Sequence, residues 1–490
     1  MVSDEVSRFA VPPGPGGRAA PAPGCGVRRD EAGDSRALEL LTRASRDRDR
    51  RVLLTGGTVV TMDPAIGNLA GDVLVRGNTI ADVGADLSAA GDDAIVVDAT
   101  GMIVLPGLVD SHLHAWEGQL RGLAPAVDLE TYMGLTQGKM GPRYRPHDMY
   151  AGNLLTALQC LDAGVTTILD NSHNARTPDH SNAAVEALID SGIRAVHASG
   201  APMSGDDGQQ WPADVTRLRD EYEGHRVTIR LYEGTPTVPV WEFARDQGLR
   251  VSIEMGEHVT NLGQLHAAGL LTDQHTLNHC FHISNDDWAL IADAGAQVNV
   301  CPRSDASFGL GLPGEPLGKA LSWGIRPGLS MDNEISYGID MFTEMQVLLL
   351  EQRARAFTAA RAEQTTTPGH IKPEDALEFA TVGGARNCHL QDTVGSLTPG
   401  RQADIVLVRT TDLNTFAAAG TPAALVTFAN RANVDTVLVA GEVRKWRGRL
   451  VGHDLTKIKA IAEASRDHLL AAQRFDPDLL AGHEPNPTTT

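Results

Sequence analysis

Two histidines separated by one residue, His112 and His114, close the run Pro106-Gly-Leu-Val-Asp-Ser-His-Leu-His114. They follow directly on the apolar stretch Ile103–Val109, which reads as a buried strand. Residues i and i+2 of a strand point to the same face. The two imidazoles therefore project together from the strand's C-terminal end. Two neutral imidazoles aimed at one point make half of a transition-metal site. The other half must come from elsewhere in the chain.

The elements that would position them alternate. Short apolar strands are expected at Ile103–Val109, Thr166–Asp170, Ala195–Ala198, Val227–Tyr232, Val251–Met255, Thr276–Cys280, Gln297–Cys301 and Pro327–Met331. Between them lie helical patterns such as Asp148–Ala163, Ser181–Ser191, Asp286–Ala294 and Asp340–Ala362, three of them ended by Gly164, Gly192 and Gly295. Eightfold alternation favours a (β/α)8 TIM barrel, with its chemistry on the loops at the strand C-termini. Glycine-punctuated β-segments occur before the barrel (Val52–Thr61, Gly71–Val75, Thr79–Val83, Ala94–Val97) and after it (Ala403–Val408, Val434–Val439, Glu442–Lys445). They suggest one small β-sandwich-like domain assembled from both ends, or else two flanking sheets. The resulting division is a disordered Pro/Gly/Ala-rich extension (1–50), a composite β-domain (51–103 and 400–450), the barrel (104–399), and a C-terminal helix and tail (451–490). In that helix Leu455, Ile458, Ile461 and Leu469 form a packing stripe.

Ordered along this framework are Gly164-Val-Thr-Thr-Ile-Leu-Asp170, Asn278-His-Cys-Phe-His282, Ser330-Met-Asp332, Ala380-Thr-Val-Gly-Gly-Ala385 and Gly395-Ser-Leu-Thr-Pro-Gly-Arg-Gln-Ala-Asp404. Together with Pro106–His114, this set resembles the amidohydrolase superfamily over roughly Arg51 to Leu450. The nearest likeness is to the cytosine deaminase and chlorohydrolase-type branch, whose members deaminate or dechlorinate heterocycles. The resemblance implies one zinc or iron ion held by the two histidines, a histidine ending strand five and an aspartate ending strand eight. His112, His114 and Asp332 match. At strand five the pattern His-x-x-Glu appears as Glu254-Met-Gly-Glu257, so Glu254 stands where the metal histidine belongs and Glu257 matches the acid.

Three readings of that replacement stay open. Glu254 is itself a ligand, since carboxylates bind zinc at about the same distance as imidazole and shift preference toward iron or manganese. Alternatively the metal is weakly held or lost. Or the strand register differs and His258 supplies the imidazole. The expected metal set is His112, His114, Glu254 and Asp332. In the implied chemistry Asp332 takes a proton from an attacking water, Glu257 passes it to the leaving group, and His279, at strand six, orients the reacting group. Without a metal, Glu254, Glu257, Asp332 and His279 would form acid–base machinery for a lyase, isomerase or dehydratase. One of two close carboxylates would then hold a proton.

Trp116, Gln119, His173 and Arg303 follow strands one, two and seven and are expected to line a substrate pocket, although Arg303 reads slightly better as a rim salt bridge. Glu344 and Glu351 read as a solvated helix face, and Cys280 and Cys301 as small core residues. A net charge of −20 argues against nucleic acid or an anionic membrane as partner; a small-molecule substrate is expected, and the resemblance implies a homodimer or larger homo-oligomer. Five scattered cysteines without a CxxC pair, and no apolar run of signal-peptide type in 1–20, point to a cytoplasmic protein.

Overall fold

A computed structural model describes residues 31–43, 47–91, 93–125, 127–362, 369–418 and 420–473. The expected loose segments 1–30 and 486–490 lie outside these residues. The extension is not without structure, however. Glu31–Arg43 is a helix seated on the β-domain, with Leu41 only 1% exposed and its carbonyl oxygen accepting a hydrogen bond from buried Arg50. No helix among the described residues is long and apolar enough to cross a membrane.

Eight parallel strands run in chain order: Leu108–Leu113, Val165–Ser172, Arg194–Ser199, Val227–Glu233, Val251–Gly256, His275–Phe281, Gln297–Val300 and Gly328–Leu329. Strand eight returns to strand one through a parallel bridge between Leu113 and Asp332, which closes the barrel. The segment Phe379–Asn387 covers the N-terminal end of the barrel, where a Cβ on Gly384 would meet Val109. The C-terminal end is left for the site. The helix Pro146–Asp162 packs outside strands one and two and is itself covered by the C-terminal helix Leu455–Gln473, whose Ser465 hydroxyl donates to Asp148. The expected stripe on that helix holds for Ile458 and Leu469, but Leu455 is 55% exposed, before the helix meets its neighbour.

The flanking β-segments form one hydrogen-bonded sheet of nine strands, which decides between the two arrangements considered above. The stretch expected as a single first barrel strand is in fact divided. Met102–Pro106 pairs antiparallel with Ile405–Arg409 in the β-domain, and the barrel strand begins only at Leu108. Gly107 makes the division possible, because a Cβ there would lie 1.9 Å from the Thr166 hydroxyl. Apolar runs buried on both sides look alike in either sheet, so periodicity could not place the break.

Barrel and β-domain are locked by a buried two-pronged ion pair. Arg194, opening strand three, donates from Nε and Nη2 to the two carboxylate oxygens of Asp404 at 3.0 Å each. Asp404 also accepts from the Ala440 amide at 2.8 Å. Replacing Asp404 with Ala leaves a buried guanidinium without its counter-charge, which costs about 3–5 kcal/mol. Urea unfolding of Asp404→Ala is expected to show that loss; a change under about 1 kcal/mol would mean the pair contributes no more than a surface contact.

Candidate metal centre

Barrel closure itself builds the site. The His114 amide donates to the Asp332 carbonyl at 2.7 Å, and the Asp332 amide donates to the His112 carbonyl at 3.1 Å. Asp332 adopts a left-handed backbone with φ of 65°, uncommon for a non-glycine residue but accessible to aspartate. Its Oδ1 then lies 3.0 Å from His112 Nε2 and 3.3 Å from His114 Nε2. Glu254, from strand five, brings Oε2 to 3.8 Å from His112 Nε2 and Oε1 to 4.0 Å from His114 Nε2. His279, also left-handed at 64°, sits at a bulge where strand six skips Cys280, and its Nε2 is 3.4 Å from Glu254 Oε2.

The donor set fits a metal ion. With bonds of 2.0–2.1 Å, the edge of a tetrahedron is about 3.3 Å. Asp332 Oδ1 lies at 3.0 and 3.3 Å from the two imidazoles, these three ligand atoms are all within 4.8 Å of one another, and Glu254 stands beside them with a different oxygen facing each histidine. His112 Nε2, Glu254 Oε2 and Asp332 Oδ1 are buried without a hydrogen-bond partner. Three such atoms converging on one point call for a shared cation, a metal ion or a proton on an imidazole. Tautomers agree. His114 Nδ1 lies 2.9 Å from the Asn171 carbonyl oxygen, so that nitrogen carries the proton and Nε2 the lone pair. The Asn171 side-chain amide lies against His112 Nδ1. Either end of an amide fits that place, and its oxygen, turned to the ring, would leave Nε2 of His112 free in the same way.

Neighbours hold the acids in position. The Tyr232 hydroxyl donates to Glu254 Oε1 at 3.0 Å. Ser304 and Asn333 (3.1 Å) donate to Asp332 Oδ2, turning Oδ1 toward the histidines. His279 Nδ1 donates to Asp305 at 2.7 Å. Burial alone would raise both Glu254 and Asp332, but His112, His114 and His279 outweigh it and hold both carboxyls well below their ordinary range. That reverses the expected sharing of a proton between neighbouring carboxylates, because imidazoles rather than carboxylates face each acid. Burial likewise opposes protonation of His279, yet Cys301, Asp305 and Glu254 raise its imidazole well above the usual value.

The other expected residues divide. His173 joins the cluster, its Nε2 3.0 Å from His114 Nδ1 and its Nδ1 3.1 Å from Gln137 Oε1. Trp116 is fully buried behind it, with ring centroids 5.4 Å apart. Gln119 turns away instead, donating to the Asp148 carbonyl at 3.3 Å under the helix Pro146–Asp162. Arg303 also turns away, donating to Glu344 and to the Gly338 carbonyl at 3.1 Å with its guanidinium over the Tyr337 ring. Glu344 is accordingly fully buried rather than solvated, and Glu351 is half-buried, its carboxyl pushed up to about 8 by burial. Glu257 stands exposed in the turn after strand five with no hydrogen bond or ion pair to the cluster. His258 is exposed there too, its Nε2 3.4 Å from the Gly234 carbonyl, which removes it as the third imidazole.

Asn171, Tyr232, Ser304 and Asp305 were not anticipated. All stand at strand ends or just beyond them, where a barrel keeps its chemistry. In Cys301-Pro-Arg-Ser-Asp305 the helix Pro302–Phe308 starts at the proline. Successive residues of a helix turn by about 100°, which sends Arg303 outward and brings Ser304 and Asp305 to the cluster.

Residues 103–237 and 244–444 match the model of the family described as "Amidohydrolase family". The chain belongs to the amidohydrolase family. It is 29% identical, over 82% of its length and 94% of the relative's, to a 5-methylthioadenosine/S-adenosylhomocysteine deaminase of Desulforudis audaxviator. It is 26% identical, over 85% and 98%, to a 5'-deoxyadenosine deaminase of Methanothermobacter thermautotrophicus. An adenosine deaminase from Xanthomonas campestris with bound zinc shares the fold, with a TM-score of 0.73, 22% identity, and coverage of 86% of this chain and 98% of that one.

Tyr232 is placed to fix Glu254 without touching the histidines. If Glu254 holds an ion, Tyr232→Phe, which removes the hydroxyl's hydrogen bond to its carboxylate, is expected to weaken zinc binding by about 10- to 100-fold. Competition with a chromophoric chelator measures this; unchanged affinity would show that Glu254 needs no such restraint.

Proposed function

We propose that the protein hydrolytically deaminates a small amino-substituted heterocycle, using one divalent metal ion held by His112, His114, Glu254 and Asp332. The observation that carries the metal reading is the convergence of three buried, unpartnered ligand atoms from strands one, five and eight. The reaction class is supported by family membership and by deaminase relatives aligned over more than four-fifths of the chain. A bound ion supplies positive charge that acidifies water and makes it nucleophilic near neutral pH.

This chain's residues would do the rest. Asp332 accepts the proton of the attacking water through Oδ1, its other oxygen being held by Ser304 and Asn333. His279, backed by Asp305, faces the reacting atoms and orients the group under attack. Glu257 carries the proton to the departing amine. Its exposed position requires the turn to fold over bound substrate, and its freedom from other partners permits that. Balance is simple: water adds at carbon, the C–N bond breaks, and ammonia leaves a carbonyl.

The test is ammonia release from adenosine, 5'-methylthioadenosine, S-adenosylhomocysteine, cytosine and guanine by metal-loaded protein. At least one is expected to turn over, with activity lost on chelation and restored by one equivalent of metal. Full activity in protein holding under about a tenth of an equivalent would instead establish the metal-free acid–base reading. On whichever substrate is found, Glu257→Gln is expected to lower kcat by about 10²- to 10⁴-fold with little change in KM; an unchanged kcat would take the proton-transfer role from Glu257.

A further inference from the structure

A second set of ligands overlaps the first. His112, His279 and Cys301 each offer one ligand atom, and these lie within 4.8 Å of one another, just as those of His112, His114 and Asp332 do. Cys301 ends strand seven and is fully buried, but its surroundings are not those of a core sulfur. Asn299 Nδ2 donates to its Sγ at 3.3 Å. The other end of that amide, Oδ1, accepts from the Ser111 hydroxyl at 2.6 Å. The sulfur thus has an amide on one side and two imidazoles on the other. His112 Nε2, at 0% exposure and without a partner, points into the same space. Glu254 Oε2 lies 3.8 Å from His112 Nε2 and 3.4 Å from His279 Nε2, beside this set of three. Asp305 accepts from His279 Nδ1, so a neutral His279 keeps its lone pair on Nε2.

We propose that Cys301, with His112 and His279, forms a second metal position that selects thiophilic ions such as zinc, cobalt(II) or cadmium. The inference rests on the reading of this cluster as a metal centre and deepens it. Two sets sharing His112 Nε2 cannot be filled together, so the ion takes one position or the other. The all-N/O position of His112, His114, Glu254 and Asp332 suits harder ions, and the thiolate-containing position suits softer ones. Binding at Cys301 releases the thiol proton to solvent. With glutamate in place of the strand-five imidazole, the thiolate offers the soft donor that the N/O set lacks.

Cobalt(II) added to chelator-treated protein reads the position directly. The wild type is expected to bind one equivalent with intense near-ultraviolet thiolate-to-cobalt absorption. Cys301→Ser is expected to bind cobalt through its remaining ligands, with only weak visible bands and at least tenfold lower affinity. One bound equivalent without near-ultraviolet absorption in the wild type, or the same absorption in Cys301→Ser, overturns the role of Cys301 while leaving the metal centre standing. No binding by either protein overturns the metal centre itself. X-ray absorption of the zinc-loaded wild type needs no variant and decides the matter if Cys301→Ser does not fold. A Zn–S shell at about 2.3 Å supports the proposal, and an all-N/O shell near 2.0–2.1 Å contradicts it.

Discussion

The site depends on the hydrogen bonds that close the barrel. His114 N to the Asp332 carbonyl and Asp332 N to the His112 carbonyl join strand one to the end of strand eight, more than 200 residues apart. Without them the HxH pair would face an open edge, and the aspartate would have no fixed relation to it. Asp110, fully buried, reinforces the seam by accepting from the amides of His112 and Met331. His112, His114 and Asp332 are therefore part of the barrel's last seam, so the geometry of the site and the closure of the fold are one constraint.

Around that seam the substitution of a carboxylate for an imidazole changes the charge rather than the shape. Two carboxylates balance a divalent ion completely, whereas one carboxylate with three histidines leaves a net positive charge. An ion held by this set would be a weaker Lewis acid and would acidify water less. The surrounding donors accept this arrangement. Tyr232 satisfies one oxygen of Glu254, and the imidazoles keep both acids ionised. Cys301 stands with His112 and His279 in a second, overlapping set.

Much of this was legible in the chain. Strand alternation and the ordered motifs gave the barrel, and the i, i+2 parity of His112 and His114 gave their shared direction. What escaped was set by three-dimensional packing. Gly107 divides an apolar run that looks uniform, because the break answers to Thr166 on a neighbouring strand. Arg303 and Gln119 sit at positions that belong to a pocket by spacing, but a buried partner, Glu344 or the Asp148 carbonyl, takes each of them. Glu344 reads as solvated because its partner lies 41 residues earlier. Asp305 and Ser304 reach the cluster only through the phase of a helix that begins at Pro302. Cys301 looks like a small core residue until His112 and His279 are seen beside it.

The central claim is that Glu254 acts as a ligand in place of the missing histidine. Calorimetric titration of zinc into chelator-treated wild type and Glu254→Gln tests it most directly. The account predicts one equivalent bound by the wild type and affinity on the order of 100-fold weaker in Glu254→Gln. Equal affinity in the two proteins, or no binding by the wild type, would contradict it.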